Sequence, residues 1–261
     1  MTKVKIKTSA YNVPALERGL EVLELLSRHS RGLNQTEIAA ALKSPLSSIF
    51  RITMTLVEYG FLERDQETKV FRLTQKMLIV GQRTLGEPDL IGQAMAVMRD
   101  LRDIVKDTIL LGVLNETEII VLDQVLGTHL FRFSVNAGHR IPVYCSAPGK
   151  AILAFLPEKQ CESVIVKTRF VRHNENTIVT PEAFRHELTM VAKRGYAVDR
   201  GEEYAGIYCV SAPIFDRNGY PIAAIWVTGP DQHVRPEDIP GIGKQLREHA
   251  SQISARLGFV S

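Results

Sequence analysis

Cysteine is scarce in this chain, tryptophan is scarcer, and no long apolar run is present. The three cysteines, Cys145, Cys161 and Cys209, are odd in number and lie at no metal-type spacing, so neither a disulfide framework nor a zinc site is indicated. The seven histidines are scattered with no pair at ligand spacing, and no metal or cofactor is expected. No uninterrupted apolar stretch approaches the ~20 residues that a bilayer-spanning helix needs. Lys3, Lys5 and Lys7 open the chain without the apolar segment of a secretory signal, so a cytoplasmic protein with no membrane partner is expected. Internal repeats and low-complexity tracts are absent too.

What is there suits two folded domains: 261 residues, 45% of them hydrophobic. Charge is divided unevenly between them. Residues 1–83 carry 13 Lys+Arg against 8 Asp+Glu, a net +5, and the remainder carries 19 against 21, a net −2, which gives the overall +3. A basic front and a mildly acidic back are what a chain shows when only its front meets a polyanion.

Residues 34–73 carry the clearest pattern. Asn34 with Glu37 three positions on forms a capping box, and Leu33 and Ile38 are placed for a hydrophobic staple. That helix ends by Leu42. Lys43, Ser44 and Pro45 make a turn, with Ser44 read as the cap of a second helix and Pro45 in its first turn. In the second helix, running to about Tyr59, Ile49, Ile52 and Leu56 share one face while Ser47, Arg51 and Glu58 project from the other, with Phe50 and Met54 at its edge. Gly60 stops it, and strands over 61–64 and 70–73 flank a turn that ends at Lys69. Two helices, a tight turn and a two-stranded wing make a winged helix-turn-helix, whose second helix lies in the DNA major groove. The residues expected at double-stranded operator DNA are Ser44, Leu46, Ser47, Ser48, Phe50, Arg51 and, on the wing, Lys69.

Ahead of the motif, a helix over 14–28 carries Leu16, Leu20, Leu23 and Leu26 on one stripe, widened by Val22 and Leu25. That is more apolar surface than one small domain needs, so a partner chain is expected on it. A helical segment over 74–83 leads to the break at Gly86-Glu87-Pro88, and the boundary between domains 1–85 and 86–261 is drawn there. Beyond it, Ile91, Ala94, Met98, Leu101 and Val105 mark a helix, and 108–114, 118–125 and 130–135 read as strands with short connections. Helices are expected over 147–155, 157–166 and 180–194, strands over 196–199, 207–215 and 221–228, and a last helix over 236–257. Asp216-Arg217-Asn218-Gly219 reads as a hairpin turn. Without a βαβ rhythm, this is an α+β domain: an antiparallel sheet with packed helices.

Four segments in order resemble the IclR-type bacterial transcriptional regulators: residues 14–23 in the first helix, 45–51 at the head of the recognition helix, 138–154 with Ala147-Pro148-Gly149-Lys150-Ala151, and 194–216 with Arg194-Gly195-Tyr196-Ala197-Val198-Asp199. The resemblance implies a winged helix-turn-helix, a linker helix and an effector domain of GAF or profilin-like topology, assembled as homodimers and often dimers of dimers. It also implies an effector pocket at Leu130, Phe133, Ile141, Ala147, Pro148, Asp199, Cys209, Trp226 and Thr228. Ala147-Pro148-Gly149 reads as a helix opening, whose free amides and dipole suit the carboxylate of a small organic acid. Leu46 and Ser48 stand where the family commonly has a basic residue and a threonine, and Tyr144-Cys145-Ser146 stands in place of a His-Ala-Thr run.

Two other classes compete with an effector-responsive regulator of a catabolic operon. A small-molecule enzyme fused to a DNA-binding domain would use Cys145 or Cys209 as nucleophile, Glu202 or Glu203 as base and His139 or His173 nearby, yet nothing in the spacing assembles that set. An architectural DNA-binding protein without a ligand would leave the larger part of the chain unused.

Overall fold

The computed structural model describes residues 13–77, 80, 90–130 and 132–260, in two compact units, Met1–Gly86 and Glu87–Ser261. The readings of residues 1–10, of the break at 86–88, and of Leu78 and Gly81 in the helix over 74–83 lie outside the described residues.

In the first unit, α1 (Pro14–Ser27), β1 (Leu33–Asn34), α2 (Gln35–Ala41), α3 (Leu46–Glu58), β2 (Leu62–Arg64) and β3 (Val70–Leu73) follow one another. The capping box forms: Asn34 Oδ1 accepts from the Thr36 and Glu37 amides at 2.9 and 3.0 Å, and Glu37 Oε2 accepts from the Asn34 amide at 2.7 Å. Asn34 also belongs to β1, too short to register as a strand in the sequence, which completes an antiparallel sheet of order β1-β3-β2. Val22, Leu26, Ile38, Ile49, Leu62 and Phe71 fill the core. Thr53 joins them fully buried, which its hydroxyl tolerates by donating to the Ile49 carbonyl at 2.9 Å. One detail is corrected: Pro45 itself caps α3 without a side-chain bond, because the Ser44 hydroxyl donates back to the Leu42 carbonyl.

The second unit runs α4 (Leu90–Val105), β4 (Thr108–Asn115), β5 (Glu118–Val125), β6 (Arg140–Pro142), α5 (Ala147–Leu153), α6 (Glu158–Lys167), α7 (Pro181–Arg194), β7 (Ala197–Arg200), β8 (Ile207–Phe215), β9 (Pro221–Pro230) and α8 (Ile239–Arg256). The strands form one antiparallel sheet of order β6-β5-β4-β9-β8-β7. Successive side chains of a strand point to opposite faces. Ile109, Leu111, Ala223, Ile225 and Val227 therefore pack with α4 and α8, while Leu110, Ala224 and Trp226 face α5 and α7. At the β8–β9 hairpin, Asp216 Oδ1 accepts from the Asn218 and Tyr220 amides at 2.8 and 2.9 Å.

The strand expected over 130–135 does not form. The Thr128 amide donates to the Lys106 carbonyl at 2.8 Å, turning the chain away from the ladder. Beyond the turn, side chains take the partners a strand would need: the Gln124 amide bonds the Val135 carbonyl and N–H, and Thr108 Oγ1 donates to the Phe133 carbonyl at 2.7 Å. The edge place beside β5 goes to β6, which the sequence reading passed over.

Candidate functional site

Two surfaces carry the chemistry, one in each unit. On α3, Leu46, Ser47, Phe50 and Arg51 are exposed, with Ser47 and Arg51 one turn apart on the side opposite buried Ile49. Ser48 is half-buried and accepts from Arg18 Nη1 of α1 at 3.2 Å, so it positions a cation as much as it offers a hydroxyl. Ser44 is half-buried in the turn. Lys69 is exposed on the wing with a left-handed φ of 57°, its ammonium donating to the Gln66 carbonyl. The same turn is stiffened by Asp65, whose carboxylate accepts from the Thr68 and Glu67 amides and is held below the usual carboxylate range by those bonds, that to Thr68 foremost. On α1, Leu16 and Leu20 are 61% and 54% exposed, and Leu16 lines a groove of about 900 Å³ between α1 and α3.

In the second unit a narrow cavity, about 40 Å³ of open space, brings together Phe133, Ile141, Pro148, Asp199, Cys209, Trp226 and Thr228. Three expected members are elsewhere. Leu130 is 92% exposed, because the segment that would have carried it inward as a strand is a loop. Ala147 is a core residue. Gly149 is buried where a Cβ would meet the Val143 carbonyl oxygen at 2.3 Å, so it serves the close approach of α5 to the chain before it. The opening of α5 also offers few free amides: Pro148 has none, and that of Gly149 points to Ser146 Oγ at 3.4 Å.

Leu110, Val135, Ser146, Tyr204 and Ile207, none of them singled out from the sequence, also line the cavity, together with His139 and Glu203, which were named only for the enzyme alternative. Leu110 was within reach, since it lies opposite Trp226 in the β4–β9 ladder. Tyr204 and His139 come from loops, whose course no periodicity specifies.

Polar groups cluster at one wall. Asp199 Oδ1 accepts from the Glu202 amide at 2.7 Å, and burial, reinforced by Glu202 and Glu203 and opposed by Lys150, pushes its carboxyl up to about 7. Burial also raises Glu203, against the pull of His173 and His139. Behind this wall the ammonium of fully buried Lys150 bonds Glu202 and, at 3.0 Å, the Val198 carbonyl. Thr228 Oγ1 and Cys209 Sγ are 3.1 Å apart.

This wall holds no activated thiol. Burial pushes both the Cys145 and Cys209 thiols far above neutrality, with neighbouring carboxylates adding to the shift, so neither is a thiolate nucleophile. His173, a possible base, is bonded at 2.9 Å to the Tyr144 hydroxyl.

With this geometry in view, comparison with known proteins decides the family. Residues 15–66 match the IclR helix-turn-helix domain, and residues 82–255 match the C-terminal domain of the bacterial transcriptional regulator IclR. The chain belongs to the IclR family of bacterial transcriptional regulators. It is similar to the transcriptional repressor IclR of Escherichia coli, at 29% identity over 248 residues covering 94% of this chain and 90% of that protein. Among solved structures, the Thermotoga maritima IclR is 29% identical with a TM-score of 0.75, covering 95% of this chain and 100% of the other. An IclR homologue from Microbacterium hydrocarbonoxydans, solved with 4-hydroxybenzoate, has a TM-score of 0.79 at 24% identity over 93% and 98% of the two chains, a likeness of fold. This IclR-family protein is thus a DNA-binding transcriptional regulator with an effector-binding C-terminal domain, in a family that is not enzymatic. No helix among its described residues is long and apolar enough to cross a membrane.

Proposed function

We propose that this regulator controls a catabolic operon in the cytoplasm, residues 1–85 holding operator DNA and residues 86–261 binding a small organic acid with a ring or branched body. The observation that carries the effector class is the cavity's mixed lining. Trp226, Phe133, Leu110 and Ile141 offer apolar surface, and Ser146, Tyr204, Thr228 and Asp199 offer hydroxyl and carboxyl partners. Asp199, whose carboxyl titrates near 7, donates to a ligand oxygen when protonated and accepts from a ligand hydroxyl when ionised. The Microbacterium relative solved with 4-hydroxybenzoate supports the reading, because that compound pairs a hydroxylated ring with a carboxylate. The cavity is tight, so a ring-sized ligand enters by moving its walls, and that movement is what biases the DNA-competent state. A ligand shifts such an equilibrium only by its differential affinity for the two states.

The regulator works as a homodimer, or as a dimer of dimers, reading two half-sites of a near-palindrome. Exposed Leu16 and Leu20 on α1 support this, being apolar surface that a second chain would cover. Ser47, Phe50 and Arg51 contact bases or their phosphates, Leu46 and Ser44 flank them, Ser48 steadies Arg18, and Lys69 takes a phosphate from the wing.

Trp226 is the only tryptophan, so its fluorescence reports on the cavity directly. Titrating hydroxybenzoates, branched hydroxy acids and acetate is expected to quench it for the ringed or branched acids alone, with a matching change in operator affinity. Thr228→Ala is expected to bind operator like the parent and respond weakly. Full response in Thr228→Ala and in Asp199→Ala would put the effector elsewhere.

A further inference from the structure

Away from both surfaces, three segments meet at one end of the six-stranded sheet. Asp107 precedes β4, His129 follows β5 and His233 follows β9; the antiparallel pairing of β4 with both neighbours, Ile109 opposite Val125 and Thr108 opposite Thr228, brings these strand ends side by side. His233 Nδ1 is 2.9 Å from Asp107 Oδ1, His129 Nε2 is 3.9 Å from the same oxygen, and the three atoms lie within 4.8 Å of one another. The two imidazole rings are 4.1 Å apart between centroids and inclined by 33°. We propose that Asp107, His129 and His233 form a binding site for a divalent first-row transition metal, of which zinc is the fitting probe.

The donor set is the first argument. Two imidazole nitrogens and a carboxylate oxygen suit zinc and its neighbours, whereas calcium and magnesium take oxygen ligands. Geometry is the second. Around a tetrahedral ion with bonds of about 2.0–2.1 Å, ligand atoms stand roughly 3.3 Å apart. The observed 2.9 and 3.9 Å bracket that spacing, so small ring rotations complete the site. The third is that Asp107 is held in place: a Cβ at Gly229 would lie 2.8 Å from Asp107 Oδ1, so the strand end is shaped around this carboxylate. Asp107 is buried while the side chains of His129 and His233 are 39% and 29% exposed, which leaves the outer position open to water or a further donor.

The ion would act as a clip. Thr108, next to Asp107, accepts from the Gly127 amide at 3.0 Å and donates to the carbonyl of Phe133, a wall of the effector cavity. Tying His129 to Asp107 and His233 fixes the segment that leads to that wall.

The test uses the full chain, dialysed against a chelator and titrated with zinc chloride by calorimetry. One zinc per chain at micromolar or tighter affinity is expected, with a rise in thermal midpoint that chelator reverses. His129→Ala, His233→Ala and Asp107→Asn are each expected to weaken binding at least tenfold, and His186→Ala to leave it unchanged. X-ray absorption of the zinc-loaded parent gives a readout that does not depend on how a variant folds, and it should contain imidazole and oxygen scatterers without sulfur. No stoichiometric binding, sulfur in the metal shell, or undiminished affinity in the folded His129→Ala/His233→Ala double variant would each overturn the site.

Discussion

Gly112 stands directly against Trp226: a Cβ at position 112 would lie 3.0 Å from the indole Cη2 and 2.7 Å from the Ile120 carbonyl oxygen. The glycine sits where the β4–β5 register shifts, between Leu111 and Gly112, and the missing side chain leaves the volume that the indole fills. Trp226 is therefore a packed part of the sheet face and a wall of the proposed effector cavity at once.

Gly112→Ala tests this arrangement. Overpacking of this kind costs about 1–3 kcal/mol. Urea unfolding is expected to report a loss in that range, together with altered Trp226 fluorescence. A variant as stable as the parent, with an unchanged emission spectrum, would mean the indole has slack around it.

Arg51→Ala addresses the other unit. Arg51 is exposed and its substitution leaves the core of α3 intact, so the thermal midpoint should hold. Operator affinity is expected to fall by about 1–3 kcal/mol if the guanidinium reads a base, and less, with a shallower salt dependence, if it clamps a phosphate. Equal affinity at every salt concentration would remove Arg51 from the interface.

The elements with strong local signals were legible in the sequence. The Asn34–Glu37 box, the helix opening at Thr180, the Asp216 turn and the strands over 207–215 and 221–228 all depend on neighbours within a few residues, and each formed. The misses share a different cause. Residues 130–135 have strand composition, but Gln124 and Thr108 take over their backbone partners, a fact of tertiary structure. Leu130 left the expected pocket with them. His129 and His233, scattered in the sequence, become neighbours only because β4 pairs with both β5 and β9. Of the residues named through family resemblance, Phe133, Ile141, Pro148, Asp199, Cys209, Trp226 and Thr228 line the cavity and Leu130 and Ala147 do not, whereas Tyr204, borne on a loop, had no periodicity to give it away.

Asp199 sets a pH dependence. In the folded chain it keeps its proton up to about 7, while an ordinary aspartate loses it near 3.8. Between those values the folded state binds more protons than the unfolded one, so the stability it contributes is complete below the lower value and is lost as pH rises through the upper. Affinity for a carboxylate effector should weaken over the same upper range as a negative charge appears beside it. Asp199→Asn is expected to flatten both profiles, measured by urea unfolding and by Trp226 quenching. Parallel profiles for parent and variant would assign the titration to another group.

Lys150 and Glu202 pose the sharper energetic question, because both are buried and Glu202 Oε2 has no hydrogen-bond partner among the described residues. Removing one member of a buried ion pair strands the other charge, at a cost of about 3–5 kcal/mol, while replacing both by apolar groups is often neutral. Lys150→Met is therefore expected to lower unfolding free energy by that amount, and Lys150→Met/Glu202→Leu to recover most of it. The Glu202 carboxyl, already raised by burial, loses in Lys150→Met the cation that opposes the shift, so the single variant should regain stability on acidification as Glu202 takes up a proton. A double variant no more stable than Lys150→Met would mean that the pair's bonds to the backbone, such as that from Lys150 to Val198, hold the cavity wall and that apolar packing cannot replace them.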